Sequence, residues 1–173
     1  RIKGEDWPTV APRIPFGTLP VLEVDGRPLS GTLVIERFVG VKHGLGGADD
    51  FENALIDSAL DALSDMVTKF KAYWFDSDVA RKAETKKRLD ETRVIPETLA
   101  NIERFVASNK DGWLVGSKLT YGDINVYYWL DVISKNWPEP IVDNYPSLSQ
   151  LVKRVEAQPR IAKWIKERPV TKT

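Results

Sequence analysis

The chain has 173 residues, 42% of them apolar, enough to bury a core in one domain or in two small ones sharing an interface. Lys plus Arg and Asp plus Glu both total 25, so no net field draws the chain to nucleic acid or to an anionic membrane. The absence of cysteine excludes a disulfide framework, a thiolate metal site and a thiol nucleophile, and no apolar run approaches the roughly 20 residues of a membrane helix.

From Arg1 to Gly31 the sequence is punctuated by Pro8, Pro12, Pro15, Gly17, Pro20, Gly26 and Pro28, which excludes long helices there. Val21–Val24, then Asp25-Gly26, then Arg27-Pro28-Leu29 predict two short strands joined by a tight turn. Thr32 is expected to cap a helix from about Leu33 to Lys42, with Val34, Ile35, Phe38 and Val39 on one side. Gly44, Gly46 and Gly47 end it. Everything beyond is helical in pattern, so the shift near residues 44 to 50 predicts a domain boundary, with domains at 1–45 and 50–173.

Ile56, Leu60, Leu63, Val67, Phe70 and Trp74 alternate steps of four and three, an apolar stripe along one long helix. Tyr73 and Phe75 beside it are not assigned by that spacing. Asp57, Asp61 and Asp65 recur every four residues, as on a solvated helical face. A second helical stretch is expected from about Ser77 to Ser108, where Pro96 must either kink it or stand in the first turn of a separate helix. In Leu119-Thr120-Tyr121-Gly122-Asp123-Ile124, Thr120 and Asp123 have the spacing of a capping box. The run from Ile124 to Ile133 is apolar nearly all round, as for a helix surrounded by others. Helices near Ser147–Ala157 and Arg160–Glu167 close the chain.

The segments PFGTLPVLEVDG, Thr32 at a helix start, and LVGSKLTYGDI resemble cytosolic glutathione transferases. The spacing of Trp7, Pro15-Phe16-Gly17, Leu19-Pro20-Val21 and Asp25-Gly26 resembles the sigma class, which includes prostaglandin isomerases. This resemblance covers essentially the whole chain. It implies an α+β protein, with a thioredoxin-like N-terminal domain, partial here, before an all-helical bundle domain. It further implies a homodimer in the cytoplasm, glutathione as co-substrate, no metal, and a small apolar electrophile as the second substrate. The reaction it implies is conjugation, as in detoxification, or a glutathione-dependent isomerisation. A non-enzymatic, crystallin-like member of the family is the alternative.

Carried over position by position, the resemblance gives Leu19 a backbone that pairs with the cysteinyl part of glutathione, ahead of a cis Pro20. Thr32 would hold the γ-glutamyl carboxylate at a helix N-terminus, where free amides and the dipole favour an anion. Trp7 would touch the glycyl end, and Asp65 would reach the ammonium of glutathione bound in the other subunit. Gly31 and Thr18 belong to the same site but stand where relatives carry glutamine and, in several cases, lysine, and Ala11 also replaces a lysine. These departures predict weaker glutathione affinity or a different thiol ligand, with Arg13 a candidate substitute cation. The family's thiolate-stabilising tyrosine is expected upstream of Arg1, on a preceding strand and helix. None of Tyr73, Tyr121, Tyr127, Tyr128 and Tyr145 occupies its place, so no catalytic residue is nominated. His43, near a helix end, is expected to be solvated or to face the helix dipole.

Overall fold

The computed structural model describes residues 2–169. The chain divides into two compact units, Arg1–Gly46 and Gly47–Thr173.

In the first unit the prolines limit helices to short pieces: 3₁₀ turns at Gly4–Asp6, Ala11–Arg13 and Pro15–Gly17, and α1 at Trp7–Val10. Strands β1 (Val21–Val24) and β2 (Arg27–Ser30) pair antiparallel with Val24 opposite Arg27. Asp25 and Gly26 both have positive φ, 52° and 73°, as a two-residue hairpin matched to strand twist requires. Helix α2 (Thr32–Lys42) follows, and its last turn is closed by the Leu45 amide donating to the Gly40 carbonyl at 2.8 Å.

Two expectations for α2 need correction. Thr32 is the first helical residue, and Gly31 stands at the N-cap with φ 101° and no side-chain cap bond. The apolar side is not buried either: Val34, Phe38 and Val39 are 52, 39 and 40% exposed, and Gly40 is the one buried residue of the helix. A two-stranded sheet among the described residues has too little surface to cover that side.

The second unit is a helical bundle. Helix α3 (Asp50–Trp74) starts at Asp49, whose carboxylate accepts from the Glu52 amide at 2.8 Å. Ile56, Leu60, Leu63, Val67 and Phe70 are at most 4% exposed, each contributing roughly 1.5–3 kcal/mol by burial. The stripe closes on Tyr73, 7% exposed, whereas Trp74 is half-buried and stacks on the exposed Phe75 with ring centroids 4.4 Å apart. Strict alternation picks Trp74; the helix, running 3.6 residues per turn, brings Tyr73 to the core instead.

The stretch from Ser77 is two helices, α4 (Val79–Thr92) and α5 (Val94–Ser108), separated by Arg93 at φ 51°. Pro96 therefore lies in the first turn of α5, where its missing N–H costs nothing. Asp78 caps α4 by accepting from the Arg81 amide at 2.9 Å, and the Arg81 side chain holds the Asp76 carboxyl below its usual range.

Helix α6 (Tyr121–Asn136) packs against both α3 and α7 (Pro146–Glu156) and carries nine buried residues, from Tyr121 to Ile133. Its capping box is present as predicted, and Asp123 is fully buried. A Cβ on Gly122 would come within 2.6 Å of Leu114 and 2.7 Å of Ile56, so only glycine permits the α3–α6 approach. The start of α7 is capped by a distant side chain: Glu103 on α5 accepts from the amides of Ser147 and Leu148, both at 2.9 Å. Helix α8 (Pro159–Glu167) has no fully buried residue.

Candidate functional site

Thr18, Leu19, Pro20, Gly31 and Thr32, singled out in the first unit, come together where β1 begins and β2 ends. The Leu19–Pro20 peptide is cis. Its neighbours are tied to the opposite strand: the Gly31 amide donates to the Pro20 carbonyl at 3.3 Å, and the Ser30 hydroxyl to the Thr18 carbonyl at 3.2 Å. Thr18, Leu19 and Pro20 are thereby held beside Gly31 and Thr32, the N-terminus of α2. Thr18, Leu19, Pro20 and Thr32 are exposed and Gly31 is half-buried, so the cluster is an accessible surface.

Local sequence explains the arrangement. Gly31 takes the φ of 101° that turns the chain from strand into helix, and its carbonyl accepts the first intrahelical bond, from Ile35 at 3.0 Å. Having no side chain, it cannot cap the helix. The first-turn amides of α2 are therefore left to solvent or a ligand, with the positive end of the dipole behind them. The site can receive an anion on these amides and an extended peptide-like group along the Leu19 backbone.

Trp7 is half-buried in α1 and takes no part in the two tying hydrogen bonds. Ala11 and Arg13 are the ends of the 3₁₀ turn that follows. Asp65 is exposed on α3, in the second unit. The aspartate series on α3 is not uniformly solvated: Asp57 accepts a 2.6 Å hydrogen bond from the hydroxyl of the buried Tyr121. His43 is exposed at the C-terminus of α2, and all five tyrosines lie in the helical unit. Ser30 escaped the sequence reading. Its only signal there is a hydroxyl residue at a strand end beside Gly-Thr.

A cleft of about 230 Å³ in the first unit, lined by Val24, Arg27, Leu29 and Phe38 among others, lies at the hairpin turn rather than at Leu19 and Thr32. Among the described residues no group of His, Cys, Asp or Glu could hold a metal ion, and no helix is long and apolar enough to cross a membrane.

A small unit built on a strand hairpin with a cis-proline, followed by an all-helical unit, defines a thioredoxin-like domain joined to a helical bundle. The family model for the glutathione S-transferase C-terminal domain matches residues 64–168. The chain is 38% identical to hematopoietic prostaglandin D synthase of Gallus gallus over 174 residues, covering 99% of this chain and 83% of that protein. It is 32% identical to a glutathione S-transferase of Anopheles gambiae over 171 residues, with coverage of 99% and 83%. Among solved structures, prostaglandin synthase D of Nilaparvata lugens superposes with a TM-score of 0.83 at 32% identity, covering 99% of this chain and 84% of that one. Monomeric Na-GST-3, a glutathione S-transferase of Necator americanus, gives 0.85 at 32% identity, covering 100% and 85%. The chain belongs to the glutathione transferase family, in the sigma-like group that its motifs resemble.

Proposed function

We propose that this chain binds glutathione at the Leu19–Pro20 and Gly31–Thr32 cluster and conjugates it to small apolar electrophiles, or uses it in a related isomerisation. The observation that carries the reading is the uncapped N-terminus of α2, held beside the exposed Leu19 backbone by the two bonds from Ser30 and Gly31. In this reading the γ-glutamyl carboxylate sits on the Thr32 hydroxyl and the first-turn amides, while Leu19 pairs with the cysteinyl backbone. Trp7 and Thr18 flank the tripeptide. Conjugation forms a carbon–sulfur bond from the thiolate, and the electrophile's leaving group departs with its electron pair.

The residues 1–45 then serve as the glutathione-binding domain and 50–173 as the all-helical domain. A homodimer in the cytoplasm gives Asp65 its role, as a carboxylate for the ammonium of glutathione held by the other subunit. The sequence similarity to named transferases and a named synthase supports an enzyme over a crystallin-like protein. Calorimetric titration with glutathione tests the binding step. Saturable binding weakened roughly tenfold by Thr32→Ala and largely kept by Thr32→Ser is expected. Binding indifferent to both substitutions would remove Thr32 from the site.

A further inference from the structure

The helical unit holds a cleft of about 370 Å³ lined by none of the residues of the candidate glutathione site. It opens where α4 gives way to α5, and the segment 137–144 forms its far wall. Its existence follows from the chain: Arg93, at φ 51°, turns α4 away from α5, and Pro138 and Pro140 keep the segment after α6 from continuing as a helix. Volume and location are those of small-molecule sites between bundle helices.

The lining combines buried apolar side chains with charged ones. Leu89, Ile95 and Ile141, 4, 1 and 9% exposed, line it together with Trp137, whose ring meets Tyr73 edge-on at 5.0 Å. Lys86 also lines it, its ammonium 2.9 Å from Asp90, 3.0 Å from Glu139 and 4.9 Å above the Trp137 ring. Two carboxylates share that single ammonium, so it is a poor seat for a further anion. Arg93 lines it as well, its Nε 3.7 Å from a Glu97 oxygen, too far for a hydrogen bond. Its planar fork retains donors suited to a carboxylate.

We propose that this cleft binds a small planar aromatic carboxylate, its ring among Ile95, Ile141 and Trp137 and its acid group on the Arg93 guanidinium. The acid is directed to Arg93 because Lys86 is already shared by two carboxylates, Asp90 and Glu139. Both the anionic group and the flat apolar body are required: the first engages the guanidinium, the second fills the cleft.

The test is titration of the full chain with naphthoate and, separately, naphthamide, followed by proton–nitrogen correlation NMR. Saturable shifts at the Trp137 indole and the Ile95 amide are expected, with naphthoate at least roughly tenfold tighter than the amide, the margin of a charge-assisted bond. Arg93→Asn, and Arg93→Gly as a second variant that also tolerates positive φ, should erase that margin and leave naphthamide binding and glutathione-induced shifts at Thr32 unchanged. Equal affinity for the two probes, a margin that survives both variants, shifts confined to other residues, or no saturable shift would each overturn the proposal.

Discussion

At the start of α6 the chain supplies its own cap; at the start of α2 it supplies none. Asp123 accepts from the amides of Leu114 and Thr120 and from the Thr120 hydroxyl, each at 2.7 Å, and is wholly buried. Gly31 contributes no side chain, and α2 begins exposed and uncapped beside Leu19 and Pro20. Both are helix N-termini with the same orphan amides and the same dipole. The filled terminus locks the bundle together; the open one is where a ligand can supply what the chain withholds.

Removing the α6 cap breaks this contrast most severely. Asp123→Ala leaves the buried Leu114 and Thr120 amides without their acceptor, and a loss of about 3 kcal/mol is expected by urea unfolding. Next comes Gly122→Ala, about 1–3 kcal/mol, because its Cβ would enter the space of Leu114 and Ile56. Neither residue belongs to the glutathione cluster, so glutathione affinity per folded molecule should stay at the wild-type value.

Asp123 also sharpens the comparison through pH. Burial pushes its carboxyl above the ordinary value, and the bonds from Leu114 and Thr120 offset this in part. The folded state therefore holds the proton more tightly than the unfolded state. The associated stability is fully present below the unfolded pKa of 3.8 and is lost as pH rises through the folded value. The stability difference between wild type and Asp123→Asn should accordingly fall as pH is raised across that window; a rise would mean that the hydrogen bonds outweigh burial.

At the open terminus the expected effects are smaller. Gly31→Ala has ordinary space, its Cβ 3.6 Å from Val34, but must hold φ 101°, so about 1–2 kcal/mol of stability should be lost in thermal unfolding. Ser30→Ala removes one tie between the strands at an exposed position, and about 0.5–1 kcal/mol is expected, with a matching slackening of the Thr18 carbonyl.

The sequence made the self-contained features legible. The hairpin, the α3 stripe and the Thr120–Asp123 box each depend on residues a few positions apart, and turn chemistry or periodicity specifies them locally. What it hid depends on distance or phase. Asp57 meets Tyr121 across the bundle, and Glu103 caps α7 from another helix, contacts that no local pattern encodes. Tyr73 replaced Trp74 in the core through a slight drift of helical phase. The cap of α2 fell one residue from its expected place because a hydroxyl residue reads as a cap by type, while the φ of Gly31 emerges only from the strand-to-helix turn. Leu19, Pro20 and Thr32, which the family resemblance marks, lie together in the candidate site; Ser30, acting through a backbone carbonyl, carries no such mark.

The most direct test of the open-terminus account is a backbone NMR titration of this chain with glutathione. Saturable shifts at the amides of Leu19, Thr32 and Leu33 are expected, with the Asp123 amide unmoved. Shifts absent from all three of those amides while glutathione binds elsewhere would contradict it.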